Sequence, residues 1–324
     1  MRDVLAGAGR YTLCANDPPW SRLANEVAPP ARLIIAGDMA LAHLEQLVAE
    51  EPDGDAVIGL GGGSALDTAK FVAWKTNKRL VQIPSITSAD AAFTDAIGVR
   101  IDRNVKYIGR IYPSIVVLDV DLIRSAPKRL NRGGVGDVLS CHTALFDWRL
   151  AASRGRGRGW DDDAAALGEA LLAELADAID DVRDVTPDSV RWLASAYRRI
   201  GARCSALGHS RFEEGSEHFL GYAYEQLTGG HLMHGELITL CVVAMSAWQG
   251  NHPDFPGRIA ARGAVRANPL DLGIGPEPFA AALAGLRGYV AAQQLDYSII
   301  DEQPISSADA ARLWEVISAL PRAT

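Results

Sequence analysis

The run "VIGLGGGSALDTAK", residues 57 to 70, constrains the fold more than any other stretch. Apolar residues end in Gly61, Gly62 and Gly63, and a helical pattern follows at once. A strand that turns into a helix through glycine opens a β-α-β unit, and strands joined that way lie parallel with the helix on one face. The neighbouring sequence repeats the alternation. "RLIIAG" reads as a strand and "MALAHLEQLVAE" as a helix with its leucines on one side, while "AVIGL", "LVQIP" and "SIVVLD" read as further buried strands. From about residue 121 the strand-like runs stop. "DVLSCHTALFDWRLAAS", "DDDAAALGEALLAELADAIDDV", "SVRWLASAYRRIGARCSAL" and "HGELITLCVVAMSAWQG" all carry apolar residues at helical spacing. The expected architecture is an α/β domain over residues 1–120 and an all-helical domain over 121–324, with a cleft between them as the default place for a site.

Composition narrows the partners. A formal net charge of −8 argues against nucleic acid, whose binding surfaces are basic. No apolar run approaches the ~20 residues that span a bilayer, and "MRDVLAGAGRYTL" lacks the layout of a signal peptide. Cys14, Cys141, Cys204 and Cys241 are far apart, with no CxxC pair, which predicts reduced thiols in a cytoplasmic protein. "SRGRGRG", residues 153 to 159, reads as a flexible solvated loop or, alternatively, an anion contact.

Three stretches could carry chemistry. The glycines leave backbone N–H groups unobstructed at a positive helix end, a favourable seat for phosphate, although neither GxGxxG nor a Walker pattern is present. A tight turn without a ligand explains them equally well. "PSITSADAAFTD", residues 84 to 95, follows a strand where parallel sheets bind ligands. There Ser85, Ser88 and Thr94 could donate to a phosphate or carboxamide and Asp90 could accept from a hydroxyl; a capped helix start is the alternative. Asp137, His218 and His234 lie at or within helical segments and would make a two-nitrogen, one-oxygen site for Zn²⁺ or Fe²⁺. Spacing alone does not select them, and His142 and His231 compete.

Taken in order, "GGGSALDTAK", "PSITSADAAFTD", "GGVGDVLSCHTALFDWRLA", "GSEHFLGYAYE" and "HGELI" resemble the iron-containing (group III) alcohol dehydrogenases. Glycerol dehydrogenase and dehydroquinate synthase share that structural group, and "SIVVLDVDLIRSAPKRLNRGGVGD" is most similar to the sn-glycerol-1-phosphate dehydrogenase branch. The resemblance runs from about residue 32 to "LDYSIID". It implies a dehydroquinate synthase-like fold, with a Rossmann-like first domain and a helical second one. It further implies that Gly62, Gly63, Ser64 and Ala65 hold the pyrophosphate of NAD or NADP, with Asp67 near the nicotinamide. Ser85, Ser88 and Thr94 would also touch cofactor, Asp90 would bind a substrate hydroxyl, and Asp137, His218 and His234 would hold one catalytic divalent ion. The implied reaction is oxidation of a secondary alcohol, a polyol or polyol phosphate, by a homo-oligomer. Transient oxidation within a cyclase or oxidative decarboxylase is the second reading, and a non-catalytic scaffold subunit the third. Only one helix fits between "RLIIAGD" and "AVIGL", which implies a shortened nucleotide domain that lacks a strand.

Overall fold

A computed structural model of the chain describes residues 1–50 and 53–322. The chain forms two compact units, Met1–Asn131 with Val190–Ser205, and Arg132–Ser189 with Ala206–Thr324.

The first unit begins α1 (Arg2–Gly7), β1 (Tyr11–Ala15), α2 (Pro19–Leu23), β2 (Arg32–Ile35) and α3 (Leu41–Ala49). It continues through β3 (Ala56–Gly61), α4 (Gly63–Thr76), β4 (Arg79–Pro84), β5 (Ala96–Ile101), β6 (Asn104–Arg110), β7 (Ile115–Val116), α5 (Val120–Ser125) and α6 (Lys128–Arg132). Five of the strands form a parallel sheet in the order β2-β1-β3-β4-β7, and β5 and β6 form a separate antiparallel hairpin. Side chains alternate across the sheet. Tyr11, Leu13, Ala15, Ile58, Leu60, Val81 and Ile83 pack on one face, and Cys14, Val57 and Leu80 pack with Ala69, Val72 and Ala73 of α4 on the other. Burial on both faces explains why these strands read as continuous apolar runs.

The sheet is not short of a strand. The expected gap came from taking "RLIIAG" as the first strand, whereas it is the second, pairing with β1 from Thr12↔Arg32 to Ala15↔Ile35. The economy lies in the first crossover, whose helix α2 is only five residues long. With β1 in place, the sheet has a switch point. The chain leaves β1 toward β2 on one side and leaves β3 toward β4 on the other. The carboxyl ends of β1 and β3 therefore border the crevice in which open α/β sheets bind ligands.

The second unit is helical: α7 (Val135–Leu139), α8 (Cys141–Ser153), α9 (Asp162–Asp184), α10 (Pro187–Leu207), α11 (Ser216–Thr228) and α12 (His234–Gln249), then α13 (Asp254–Arg262), α14 (Pro276–Gln293), α15 (Ile299–Glu302) and α16 (Ser307–Ser318). The middle of α10, Val190–Ser205, belongs to the first unit. As its acidic start suggests, α9 is capped by Asp161, whose carboxylate accepts the Ala164 N–H at 2.8 Å. The Arg-Gly loop is exposed along its length and carries surface contacts: Arg154 pairs with Glu302 at 2.6 Å, Arg158 with Asp296 at 3.4 Å, and Trp148 Nε1 donates to the Arg158 carbonyl. Among the described residues no helix is long and apolar enough to cross a membrane.

Candidate functional site

Asp137, His218 and His234 converge within the second unit. One ligand atom from each lies within 4.8 Å of the other two. His234 Nε2 stands 3.2 Å from Asp137 Oδ1, and the two imidazole centres are 5.3 Å apart. Ligands about 2.0–2.2 Å from a shared tetrahedral ion stand roughly 3.3 Å from one another, so the trio fits a divalent ion with a small contraction. Glycine brings two of them together. A Cβ on Gly136 would lie 2.8 Å from Gly235 Cα, so α7 and the start of α12 meet backbone to backbone. The next residue after Gly136 is Asp137 and the one before Gly235 is His234.

His218 is oriented from behind. Its Nδ1 is 2.9 Å from Glu217 Oε1, and Glu217 is fully buried, accepting from the Gly215 N–H at 2.6 Å and the Thr143 hydroxyl at 2.7 Å. A carboxylate on Nδ1 holds the proton there and leaves the Nε2 lone pair for a metal. Burial alone would push the His218 imidazolium down. The hydrogen bond and charge of Glu217, with the charges of Glu214 and Asp137, outweigh it and hold this group up at about 9. The surroundings thus stabilise positive charge at this point. The competing histidines lie elsewhere: His142 Nε2 sits 2.7 Å from the Asn251 carbonyl and 3.2 Å from the Ser246 hydroxyl, and His231 is exposed, 3.9 Å from Glu225.

The glycine turn lies in the first unit, and its three glycines differ. Gly61 has φ +150°, and a Cβ there would run into Asn16 Oδ1. The Gly62 N–H is already taken, donating to Asn16 Oδ1 at 2.9 Å. Gly63 opens α4, and the nearest atom to a Cβ on it is Ala91 Cβ at 4.0 Å. Among the described residues no close contact or positive φ requires glycine at that helix start. The open space over the helix end leaves room for a group such as a phosphate to approach the backbone. Ser64 Oγ accepts from Asn16 Nδ2 at 3.0 Å, and Ala65 is buried. Asp67 is 3.1 Å from the fully buried Lys70, whose Nζ also donates to the Ala96 carbonyl and to Thr94 Oγ1. Ser85 is buried, with its N–H on the Gly61 carbonyl at 2.9 Å; Ser88 is buried, and Asp90 is half-buried in a turn closed by Phe93 N–H on the Asp90 carbonyl.

A family model for iron-containing alcohol dehydrogenase matches residues 14–127. The glycerol-1-phosphate dehydrogenase of Methanospirillum hungatei is 30% identical over 260 residues, spanning 79% of this chain and 71% of that protein. The chain belongs to the iron-containing alcohol dehydrogenase family. The glycerol-1-phosphate dehydrogenase of Hyperthermus butylicus is 28% identical over 284 residues, spanning 87% of this chain and 77% of its own. Among solved structures, a probable glycerol dehydrogenase from Sinorhizobium meliloti shares the fold over 98% of this chain and 93% of that one, with a TM-score of 0.72 at 20% identity.

Two residues of this iron-containing alcohol dehydrogenase escaped the sequence reading. Glu217 adjoins His218 in "SEHF", and a buried acid beside a histidine ligand is a signal in its own right. Asn16 follows β1, which was not read as a strand. Its amide joins both sides of the switch point, accepting from Gly62 and donating to Ser64 Oγ and to the Ala36 carbonyl at 3.1 Å.

Proposed function

We propose that this metal-dependent, NAD(P)-linked dehydrogenase oxidises the secondary hydroxyl of a three-carbon polyol phosphate of the glycerol 1-phosphate kind. The alcohol and NAD(P)⁺ become a ketone, NAD(P)H and a proton. The observation that carries the reading is the convergence of one carboxylate and two imidazoles, one of them backed by Glu217, in a chain whose curated relatives are named glycerol-1-phosphate dehydrogenases.

Asp137, His218 and His234 would hold a Zn²⁺ or Fe²⁺ ion, and Gly63 with the first turn of α4 would hold the pyrophosphate. When bound, the ion supplies a Lewis acid that acidifies a hydroxyl, and the dinucleotide supplies the hydride acceptor. The chain's own residues supply position and charge. Glu217 fixes the His218 tautomer through Nδ1. Asn16 holds the Gly62 amide and the Ser64 hydroxyl in register, so the turn is shaped before a nucleotide arrives. Ser85, Ser88 and Thr94 are assigned to the cofactor and Asp90 to a substrate hydroxyl. The reading takes the chain as a cytoplasmic homo-oligomer, and the buried thiols of Cys14, Cys141 and Cys241 suit a reducing compartment.

The test is nicotinamide reduction by metal-loaded protein offered glycerol 1-phosphate, its mirror image glycerol 3-phosphate, and glycerol. Turnover of the first, abolished by a chelator and restored by Zn²⁺ or Fe²⁺, is expected. Equal turnover of glycerol would move the substrate to an unphosphorylated polyol. Silence on all three with the ion bound would overturn the proposal.

A further inference from the structure

The segment from Thr87 to Asp95, which holds Ser88, Asp90 and Thr94, is gripped along one stripe of α10. Tyr197, Gly201 and Ser205 are spaced four residues apart and so lie one above another on a single helix face. Tyr197, fully buried, donates its hydroxyl to the Thr87 carbonyl at 2.9 Å, and its ring lies 6.1 Å from that of Phe93. Gly201 packs against the segment's backbone. A Cβ there would collide with the Phe93 carbonyl oxygen, and would stand 3.0 Å from the Phe93 carbonyl carbon and 3.3 Å from Thr94 Cγ2. Ser205 donates to Asp95 Oδ2 at 3.2 Å.

These contacts set where the segment sits. At its start, Thr87 is held between Tyr197 and Asn131, whose Oδ1 accepts the Thr87 N–H at 2.9 Å. At its end, Asp95 is held between Ser205 and Arg110, the latter at 3.4 Å, and Lys70 donates to Thr94 Oγ1 at 3.3 Å. Ser88, Ala89 and Asp90 span the interval between those anchors. Glycine in the interior of a helix as long as α10 (Pro187–Leu207) works against helix formation. Its value at 201 is the close approach it permits.

We infer that Tyr197 and Gly201 are positioning residues of the dehydrogenase, setting the Thr87–Asp95 segment against nucleotide and alcohol from the far side of that segment. The inference rests on the assignment of Ser88 and Asp90 to those ligands. A methyl group at 201 must drive helix and segment apart by a few tenths of an ångström or more, displacing the ligand-bearing residues while leaving the chemistry of every ligand contact intact.

The experiment compares holoenzyme with Gly201→Ala, Tyr197→Phe, Ser88→Ala and Asp90→Ala, measuring KM, kcat, the Kd of NAD(P)⁺ and bound metal. Gly201→Ala is expected to raise KM and Kd by about 10- to 100-fold, the scale of a small misplacement, with metal content unchanged. Tyr197→Phe, which deletes one hydroxyl and keeps the ring, is expected to raise them about three- to tenfold. A variant that only lost folded protein would lower kcat and leave KM and Kd where they were, and that pattern overturns the inference. Should Gly201→Ala fail to fold, Tyr197→Phe decides alone. If Ser88→Ala and Asp90→Ala weaken binding while Tyr197→Phe and Gly201→Ala do not, the segment binds ligands but α10 does not set it, and the inference fails by itself. If Ser88→Ala and Asp90→Ala change neither constant, the ligand assignment fails and takes the inference with it.

Discussion

The glycine turn and the Asp137–His218–His234 cluster would hold their proposed groups by opposite means. At the turn the backbone would do the holding: with the Gly62 N–H spent on Asn16, what is left is the open helix end at Gly63, where there is no side chain. In the cluster, side chains from α7, α11 and α12 would do the holding, and packing between glycines brings two of them together. A backbone site is broken by adding atoms, and a side-chain site by removing them. The contrast therefore predicts different failures in the two units.

The largest effect is expected from Asp137→Ala. Two imidazoles remain, without the carboxylate that offsets the charge of a divalent ion, and the ion should be lost. Turnover should vanish and metal analysis should fall to background, while NAD(P)⁺ still binds through the glycine turn. Wild-type metal content in this variant would break the comparison. Next is the pair Gly63→Ala and Gly61→Ala. Alanine at 63 meets open space, so stability should hold; nucleotide affinity should drop about 10- to 100-fold, because the methyl stands where a phosphate would. Alanine at 61 must adopt φ +150° and push into Asn16 Oδ1, so it should cost about 1–3 kcal/mol of stability even without nucleotide. Thermal melts and nucleotide titrations on the two variants separate a glycine kept for its ligand from one kept for the fold.

The two regions also differed in how legible they were. The turn and the strands β2, β3, β4 and β7 announce themselves through local pattern, as do the long amphipathic helices. β1 is harder to see than the equally buried β3 because the buried Thr12 breaks an already short apolar run, and it follows a short helix with little to mark it. The β5–β6 hairpin was hidden by its turn: Asp102 and Arg103 take φ +49° and +65°, a geometry usually signalled by Asn-Gly. The ligand trio came from family resemblance, since spacing left His142 and His231 as rivals. What removed them was tertiary placement, against the Asn251 carbonyl in one case and on the surface beside Glu225 in the other. Nothing periodic in the sequence encodes that.

A finer cut through the cluster is Glu217→Gln. The amide keeps the shape and can still accept from the Gly215 N–H or the Thr143 hydroxyl, but it removes the charge behind His218 and weakens the hold on Nδ1. Metal affinity should fall about 10- to 100-fold, the usual cost of losing such a partner, with ligand identity unchanged. Competition with a chelator of known strength measures it. An unaltered affinity would mean that the cluster is positioned by helix packing alone, and would narrow its contrast with the turn.

The smallest effect concerns Asp147, which ties the His218 helix to the rest of its unit. Its Oδ2 accepts the Ser216 N–H at 2.8 Å and its Oδ1 the Ile299 N–H at 2.9 Å, so one buried carboxylate serves the first residues of both α11 and α15. Burial pushes the Asp147 carboxyl up to about 6; the charge of Glu217 pushes the same way, and the Ser216 hydrogen bond with the charge of Arg211 pulls back. An unfolded aspartate titrates near 3.9. Because the folded value is the higher one, the native state binds the extra proton between about pH 4 and 6, and this group favours folding more as pH falls through that window. Asp147→Asn has no such titration and turns an amide N–H toward one of the two backbone donors, at a cost of about 1–3 kcal/mol near neutrality. The stability gap between wild type and the variant should therefore widen from pH 7 to pH 4 by something on the order of 2 kcal/mol, read from urea midpoints across that range. A gap that stays constant would show that Asp147 carries the same charge in the folded and unfolded chain, and that α11 is anchored without a strained carboxylate behind it.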